Sequence, residues 1–368
     1  MLTILFYSPF NNRSRDTESL MIGFKKQGHR VISLSQSGGR FIHAYLRSQG
    51  IETHEYQTQT GLTILYFLKH ILFFVRFCRK NKVDIVYSHL ESANFVASIG
   101  QYFIGSKVYL CRHHIDEAAL QGFDKSIFYK LTYALAKKII VVSDQAARYM
   151  VQVEKIKPSK IIKINLAYDF SLYAKPGLEA IKKIKEQISA DLILLTACRL
   201  TKYKRTELSI QVLKKLVEAG INAKLIILGR GEEEFNLRSL AGVEGVSDRL
   251  IMPGYVNNVT DYLAACDLLL HPSVLESSCV TVKEAGITNL PVIVCKGVGD
   301  FDDYIVPDEN GFVVSRENFV EEATTTILSN YKHKENLGRI AINLQAKVHA
   351  LFNMDRVIVQ YKELNTHE

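Results

Sequence analysis

Strand-length runs of branched and apolar residues alternate with helix-length amphipathic segments from one end of this 368-residue chain to the other. In the first half the runs are Leu2–Ser8, Arg30–Ser35, Asp84–His89, Lys107–Cys111, Ile139–Ser143 and Ile161–Asn165. In the second they are Leu192–Ala197, Ala223–Gly229, Leu250–Gly254, Asp267–His271 and Pro291–Cys295. They are continuously apolar rather than alternating, the pattern of strands buried on both faces of a parallel sheet. Parallel neighbours need long crossovers, and those crossovers are right-handed. The predicted fold is therefore α/β, with two open, doubly wound parallel sheets in tandem.

The break falls near residues 168–190, where "YDFSLYAKPGLEAIKKIKEQISAD" joins a Pro-Gly turn signal to a charged stretch. The expected domains are residues 1–170 and 171–345, followed by a polar helical tail over 346–368. In such sheets ligands bind beyond the carboxyl ends of the strands. Chemistry is thus expected on strand-following loops in both halves, with the site where those ends face each other.

Composition narrows the function classes. With 47% hydrophobic and 23% charged residues the chain reads as a soluble globular protein. The cysteines, Cys78, Cys111, Cys198, Cys266, Cys279 and Cys295, show no C-x-x-C spacing. Buried reduced thiols in a cytoplasmic protein are expected, rather than zinc or disulfides. The start, "MLTILFYSPFNN", has no basic region or cleavage pattern and reads as a first strand rather than a signal peptide. Residues 62–80, "LTILYFLKHILFFVRFCRK", are very apolar, but Lys69, His70 and Arg76 interrupt them. That leaves no span of ~20 apolar residues for crossing a membrane. The segment fits a buried amphipathic helix, or a helix whose aromatic edge, with Arg76, Arg79, Lys80 and Lys82, touches an anionic membrane surface.

Charge divides unevenly. Residues 1–185 carry 27 Lys+Arg against 13 Asp+Glu, and residues 186–368 carry 19 against 25. A basic first half suggests an anionic surface or substrate. The basic residues are spread rather than striped and no nucleic-acid-binding signature is present, so nucleic acid is not an expected partner.

The second half carries most of the candidate chemistry. "CRLTKYKR" places Arg199, Lys202, Lys204 and Arg205 beyond a strand's carboxyl end. Cations at a helix start oppose the helix dipole, but they can neutralise a diphosphate. "GRGEEE", beginning at Gly229, permits a tight turn and close backbone approach, yet it is not the full dinucleotide fingerprint. No such fingerprint follows the first strand either, which argues against a nicotinamide dehydrogenase. In "HPSVLESSCVTVKEAG", Glu276 and Glu284 flank a predicted helix start near Ser277–Ser278. Free N–H groups there bind phosphate oxygens. The carboxylates repel phosphate, but they can accept hydrogen bonds from vicinal hydroxyls. A nucleotide-sugar has both features.

The order "RLTKYKR … LIILGRGEEE … IMPGYVNNVTDYLAACDLLLHPSVLESSCVTVKEAGITNLPVIV … DYIVPDENGFVV" resembles a family 4 glycosyltransferase of the GT-B fold across residues 190–315. "GHRV", "DIVYSH", "IIVVSDQAARYM" and "IIKINLAYDF" agree more loosely in the first half. The resemblance implies two Rossmann-like domains facing across a cleft, a retaining transfer with no required metal, and a last helix returning to the first domain. It implies that Arg199 and Lys204 meet the donor diphosphate. Glu276 would hold the transferred sugar and Glu284 the ribose. The backbone of Ser278, Cys279 and Val280 would line the donor, with Gly229 in the same donor-binding set. "CRHHID" stands where the family has an active-site histidine, and both His113 and His114 fit, His113 first. The loop "SPFNNRSRD" lacks the glycines many members have and offers Asn11, Asn12, Arg13 and Arg15 instead. The implied donor is a UDP-sugar. The implied acceptor is a glycan or lipid-linked sugar, in bacterial surface polysaccharide assembly at the inner face of the cytoplasmic membrane. Another GT-B synthase, or a non-catalytic sugar-nucleotide binder, is the alternative.

Overall fold

The computed structural model describes residues 1–10, 14–37, 42–58, 64–113 and 126–366. The chain divides into two compact units, Met1–Asp169 with Phe352–Glu368, and Phe170–Leu351. The first is built on seven parallel strands: β1 (Thr3–Ser8), β2 (Arg30–Ser35), β3 (Glu52–Glu55), β4 (Ile85–His89), β5 (Lys107–Arg112), β6 (Lys138–Val141) and β7 (Ile161–Lys163). Their order is β3-β2-β1-β4-β5-β6-β7. The second has six: β8 (Leu192–Ala197), β9 (Ala223–Leu228), β10 (Leu250–Gly254), β11 (Leu268–His271), β12 (Val292–Cys295) and β13 (Phe312–Val314), all parallel and ordered β10-β9-β8-β11-β12-β13.

Both sheets reverse their winding direction once, between β1 and β4 and between β8 and β11. Such switch points open a crevice at the carboxyl ends of the strands. The central strands are fully buried on both faces: every residue of β8 and of β4 is buried, which explains why they read as unbroken apolar runs. Two edge strands escaped that reading. β3 is "ETHE", polar and mostly exposed, and β13 is three residues long. An edge strand has one neighbour and little apolar burial, so hydrophobicity does not mark it.

The last helix, Met354–Thr366, packs in the first unit on the helix Arg15–Lys26. Gly23 makes the close approach possible, since a Cβ there would lie 2.8 Å from Met354 Sδ. Tyr361 meets Phe24 and Tyr87 edge-on, with centroids 6.0 and 5.1 Å apart. Tyr168 and Met354 are joined by a backbone bond of 2.9 Å.

The apolar helix Ile64–Lys80 corrects one expectation. Its aromatic edge faces the core: Phe74 and Phe77 are buried, Phe67 packs on Phe95 and Phe73 stacks on Tyr56. The outward face carries leucines. No helix among the described residues is long and apolar enough to cross a membrane. The six cysteines are free, five of them buried and Cys198 half-buried.

Candidate active site

At the exit of β8 the chain passes through Cys198–Thr201 and a 3-10 turn, Lys202–Lys204, into the helix Glu207–Glu218. The loop after β9 presses on this exit. Gly229 has φ +126°, and a Cβ there would lie 1.9 Å from the Cys198 carbonyl oxygen. One on Gly231 would lie 2.1 Å from that of Leu200. The contact is tied by hydrogen bonds from Cys198 N–H to Leu228 O (3.1 Å) and from Leu200 N–H to Arg230 O (3.0 Å). The two glycines of "GRGEEE" therefore set the path of the segment that carries Arg199.

The 3-10 turn is fastened to the exit of β11. Val274 N–H and the Ser273 hydroxyl both donate to the Tyr203 carbonyl, at 3.0 and 3.3 Å. This brings Lys204 onto Glu276: Lys204 Nζ donates to Glu276 Oε1. His271 Nε2, at the end of β11, donates to the same oxygen at 2.6 Å. A carboxylate only accepts, so the His271 proton is on Nε2. No hydrogen bond among the described residues reaches Glu276 Oε2.

Burial would raise the Glu276 carboxyl, but His271 and Lys204 hold it at about 2. Burial also works against the Lys204 ammonium, yet the Glu276 carboxylate keeps its pKa above the ordinary lysine value. At His271, burial is overridden by Cys279 and Glu276, and its pKa rises to about 9. Near neutral pH the cluster is thus a carboxylate between two cations. A raised histidine pKa stabilises the fold fully below its unfolded value of about 6.5. That contribution is lost as pH climbs through the folded value of about 9. The groups facing the ring are Glu276, Cys279 and the edge-on Phe301. Thermal melts of wild type should therefore drop between those two pH values, and His271→Asn should flatten this decline. Equal pH slopes in the two proteins would show that His271 stays neutral.

Cys279 occupies the N-cap position of the helix Val280–Ile287, and its side chain makes no capping hydrogen bond. The first N–H groups of such a helix lack intrahelical partners and attract anions. The Ser278 hydroxyl points elsewhere: it donates to Asp300 Oδ2 (2.5 Å) and accepts from Lys283 Nζ (2.9 Å). Lys283 and Asp300 form a fully buried pair at 2.6 Å. The Ser278 side chain is therefore committed within the unit. Glu284 is buried on the same helix. Arg199 is exposed, and among the described residues its side chain has no hydrogen-bond or ion-pair partner. The structure thus gathers Lys204, Glu276 and Cys279 into one cluster and leaves Arg199 uncommitted on the loop beside it. The donor atoms of His271, Glu276 and Cys279 lie within 4.8 Å of one another, a spacing a metal could bridge. In this cluster the Lys204 ammonium already donates to Glu276 Oε1.

In the first unit, β4 ends at His89 and β5 leads into His113. His89 Nδ1 and His113 Nε2 are 2.8 Å apart, and Phe6 stacks on the His89 ring at 5.8 Å. Burial lowers both pKa values, so the pair is neutral near pH 7. His114, Asn11, Asn12 and Arg13 lie outside the described residues, and Arg15 opens the helix Arg15–Lys26. No sequence pattern singles out His271 or His89, which the structure places against Glu276 and His113. Each is the last residue of a buried apolar strand, where a histidine points to the ligand-binding end of the sheet.

Residues 15–171 match the family description "Glycosyltransferase Family 4" and residues 179–344 match "Glycosyl transferases group 1". Among curated relatives, the N-acetyl-alpha-D-glucosaminyl L-malate synthase of Bacillus anthracis is 23% identical over 78% of this chain and 75% of its own. An N-acetylgalactosaminyltransferase of Campylobacter jejuni, which acts on a diphospho-undecaprenol-linked sugar by its name, is 25% identical over 73% and 74%. Among solved structures, Anabaena Alr3699/HepE with UDP superposes with a TM-score of 0.86 at 19% identity, over the whole of both chains. Its complex with UDP-glucose gives 0.83 at 19%, again over both whole chains. With one family description matched in each half and the GT-B architecture in both sheets, the chain belongs to the family 4 glycosyltransferases.

Proposed function

We propose that the protein transfers a sugar from a UDP-sugar to a hydroxyl of a glycan or lipid-linked acceptor with retention of configuration, in bacterial surface polysaccharide biosynthesis on the cytoplasmic side of the membrane. The observation that carries this reading is the Lys204–Glu276–His271 cluster at the β8/β11 switch point, beside an anion-attracting helix start. UDP in the Anabaena structures and the lipid-diphosphate acceptor in the Campylobacter relative's name support the choice of donor and acceptor.

In this reading Arg199, Lys204 and the backbone at Ser278, Cys279 and Val280 hold the diphosphate, and Gly229 keeps the Arg199 segment in place. Glu276 Oε2 accepts a hydroxyl of the transferred sugar and Glu284 the ribose hydroxyls. The first unit supplies the acceptor site and His113. As the bond from the anomeric carbon to the diphosphate oxygen breaks, positive charge grows on the sugar and negative charge on the leaving group. Fixed cations and amide dipoles stabilise the latter. The acceptor oxygen bonds to the anomeric carbon on the face the diphosphate leaves, and its proton passes to the departing phosphate oxygen. No metal is assigned a role.

Thermal melts against a panel of nucleotide-sugars should single out a UDP-sugar, since a ligand bound only by the native state raises the melting temperature. NMR of the product formed with that donor should show the donor's anomeric configuration. An inverted product rejects retention. No stabilisation by any UDP-sugar rejects the donor assignment. Transfer to a small hydroxy acid alone, the acceptor in the Bacillus relative's name, replaces the glycan acceptor.

A further inference from the structure

The outward face of the helix Ile64–Lys80 has no duty in the reading above. Leu65, Leu68 and Leu72 are each more than half exposed, and Ile64 at the amino end is 82% exposed. Lys69, Arg76, Arg79 and Lys80 are exposed as well. At about 100° per residue, Leu65, Leu68, Lys69, Leu72, Arg76, Arg79 and Lys80 fall within roughly one third of the helix circumference. The helix contains no acidic residue. Leucines occupy the amino-terminal half of this stripe and most of the cations the carboxy-terminal half.

The neighbouring elements extend both parts. Phe128 and Leu131 of the helix Ser126–Leu135 are exposed, and Phe128 lies 6.1 Å from Phe67. At the other end, Arg79 donates to the Phe103 carbonyl at 2.6 Å, beside exposed Tyr102 and Phe103. Single exposed leucines are ordinary on protein surfaces, but a contiguous apolar row marks an interaction site. The opposite face of the helix is committed to the core through Phe74 and Phe77. The leucine row is therefore not a core face left over from packing.

We propose that this face is a peripheral docking surface for an anionic lipid bilayer. The leucines enter the acyl boundary, and the lysines and arginines meet lipid phosphates. Charge complementarity selects this occupant: four cations with no acid among them suit a surface of uniform negative sign. The helix lies along the interface, because its charged residues forbid a span. The surface goes beyond the transferase reading, although a lipid-linked acceptor would make use of it. Binding can be measured without donor or acceptor.

The test is flotation of the full-length protein with vesicles of phosphatidylcholine alone or mixed with phosphatidylglycerol, at low and high salt. The expected result is binding to the mixed vesicles only, weakened by salt. It should fall at least tenfold in Leu65→Ser/Leu68→Ser/Leu72→Ser and, separately, in Lys69→Glu/Arg76→Glu/Lys80→Glu. Both variants should keep the wild-type melting temperature and turnover of a soluble acceptor. Wild type that ignores anionic vesicles, or variants that bind them as wild type does, overturns the proposal. So does a wild-type dimer that the leucine variant dissociates while neither protein floats. Vesicle binding without sugar transfer would instead discard the transferase reading and leave this surface standing.

Discussion

Glu276→Gln is expected to fold and to lose sugar transfer by about two to three orders of magnitude, the cost of removing one preorganised electrostatic partner from an active site. The substitution is nearly isosteric, so its effect isolates charge. In wild type the carboxylate holds Lys204 and the His271 ring on one oxygen. A neutral amide oxygen can still accept from both donors but no longer balances two cations. The Lys204 ammonium then faces His271 with no negative charge between them, and the part of the rise in the His271 pKa that comes from Glu276 is lost. If Arg199 and the helix start hold the diphosphate as proposed, loss should appear in kcat more than in KM. Lys204→Met should give a loss of similar size by another route: the leaving diphosphate lacks its cation, and Glu276 keeps only His271. If either variant turns over at the wild-type rate, the cluster is structural and the diphosphate lies elsewhere. A change in melting temperature as large as the activity loss would instead assign the effect to folding.

How far the sequence alone reaches is visible in this cluster. Lys204 and Glu276 could both be singled out, because each follows a strand and belongs to a recognisable run. Their contact could not, since they are far apart in the chain and meet only where winding reverses between β8 and β11. The sequence assigns Lys204 to phosphate and Glu276 to hydroxyls, with no link between the two. In the folded chain Lys204 and His271 both donate to Oε1 of Glu276, and among the described residues Arg199 is a cation with no side-chain partner. His271 went unnoticed because an isolated histidine in "LLLHPS" is no motif. The interior strands were legible because burial on both faces forces unbroken apolar runs. The edge strand "ETHE" was not, because its hydrogen bonds to β2 depend little on side-chain type. Ile64–Lys80 was legible as an apolar helix. With leucine and phenylalanine in every turn, hydrophobicity could not tell which face turned inward.

Gly229→Ala should be the most damaging single methyl in the second unit, destabilising it by about 3 kcal/mol or more. Two costs combine. The residue has φ +126°, a region alanine enters only under strain, worth roughly 1–3 kcal/mol. The new Cβ would also fall 1.9 Å from the Cys198 carbonyl oxygen and 3.0 Å from its carbonyl carbon. Those are backbone atoms, so no rotamer change relieves the overlap. Either β9 gives up the bond from Gly229 N–H to Gly254 O (2.9 Å), or Cys198 moves and takes Arg199 with it. Gly220→Ala separates the two costs. Gly220 also has positive φ, +78°, but a Cβ there meets nothing within 4 Å. It should lose only the conformational part, about 1–2 kcal/mol. Urea unfolding of the three proteins measures the difference, and UDP-sugar titration of folded Gly229→Ala measures the displaced Arg199 loop. If the two alanine variants are equally stable, the contact between the β9 loop and the β8 exit is slack. Gly229 would then not govern the position of Arg199.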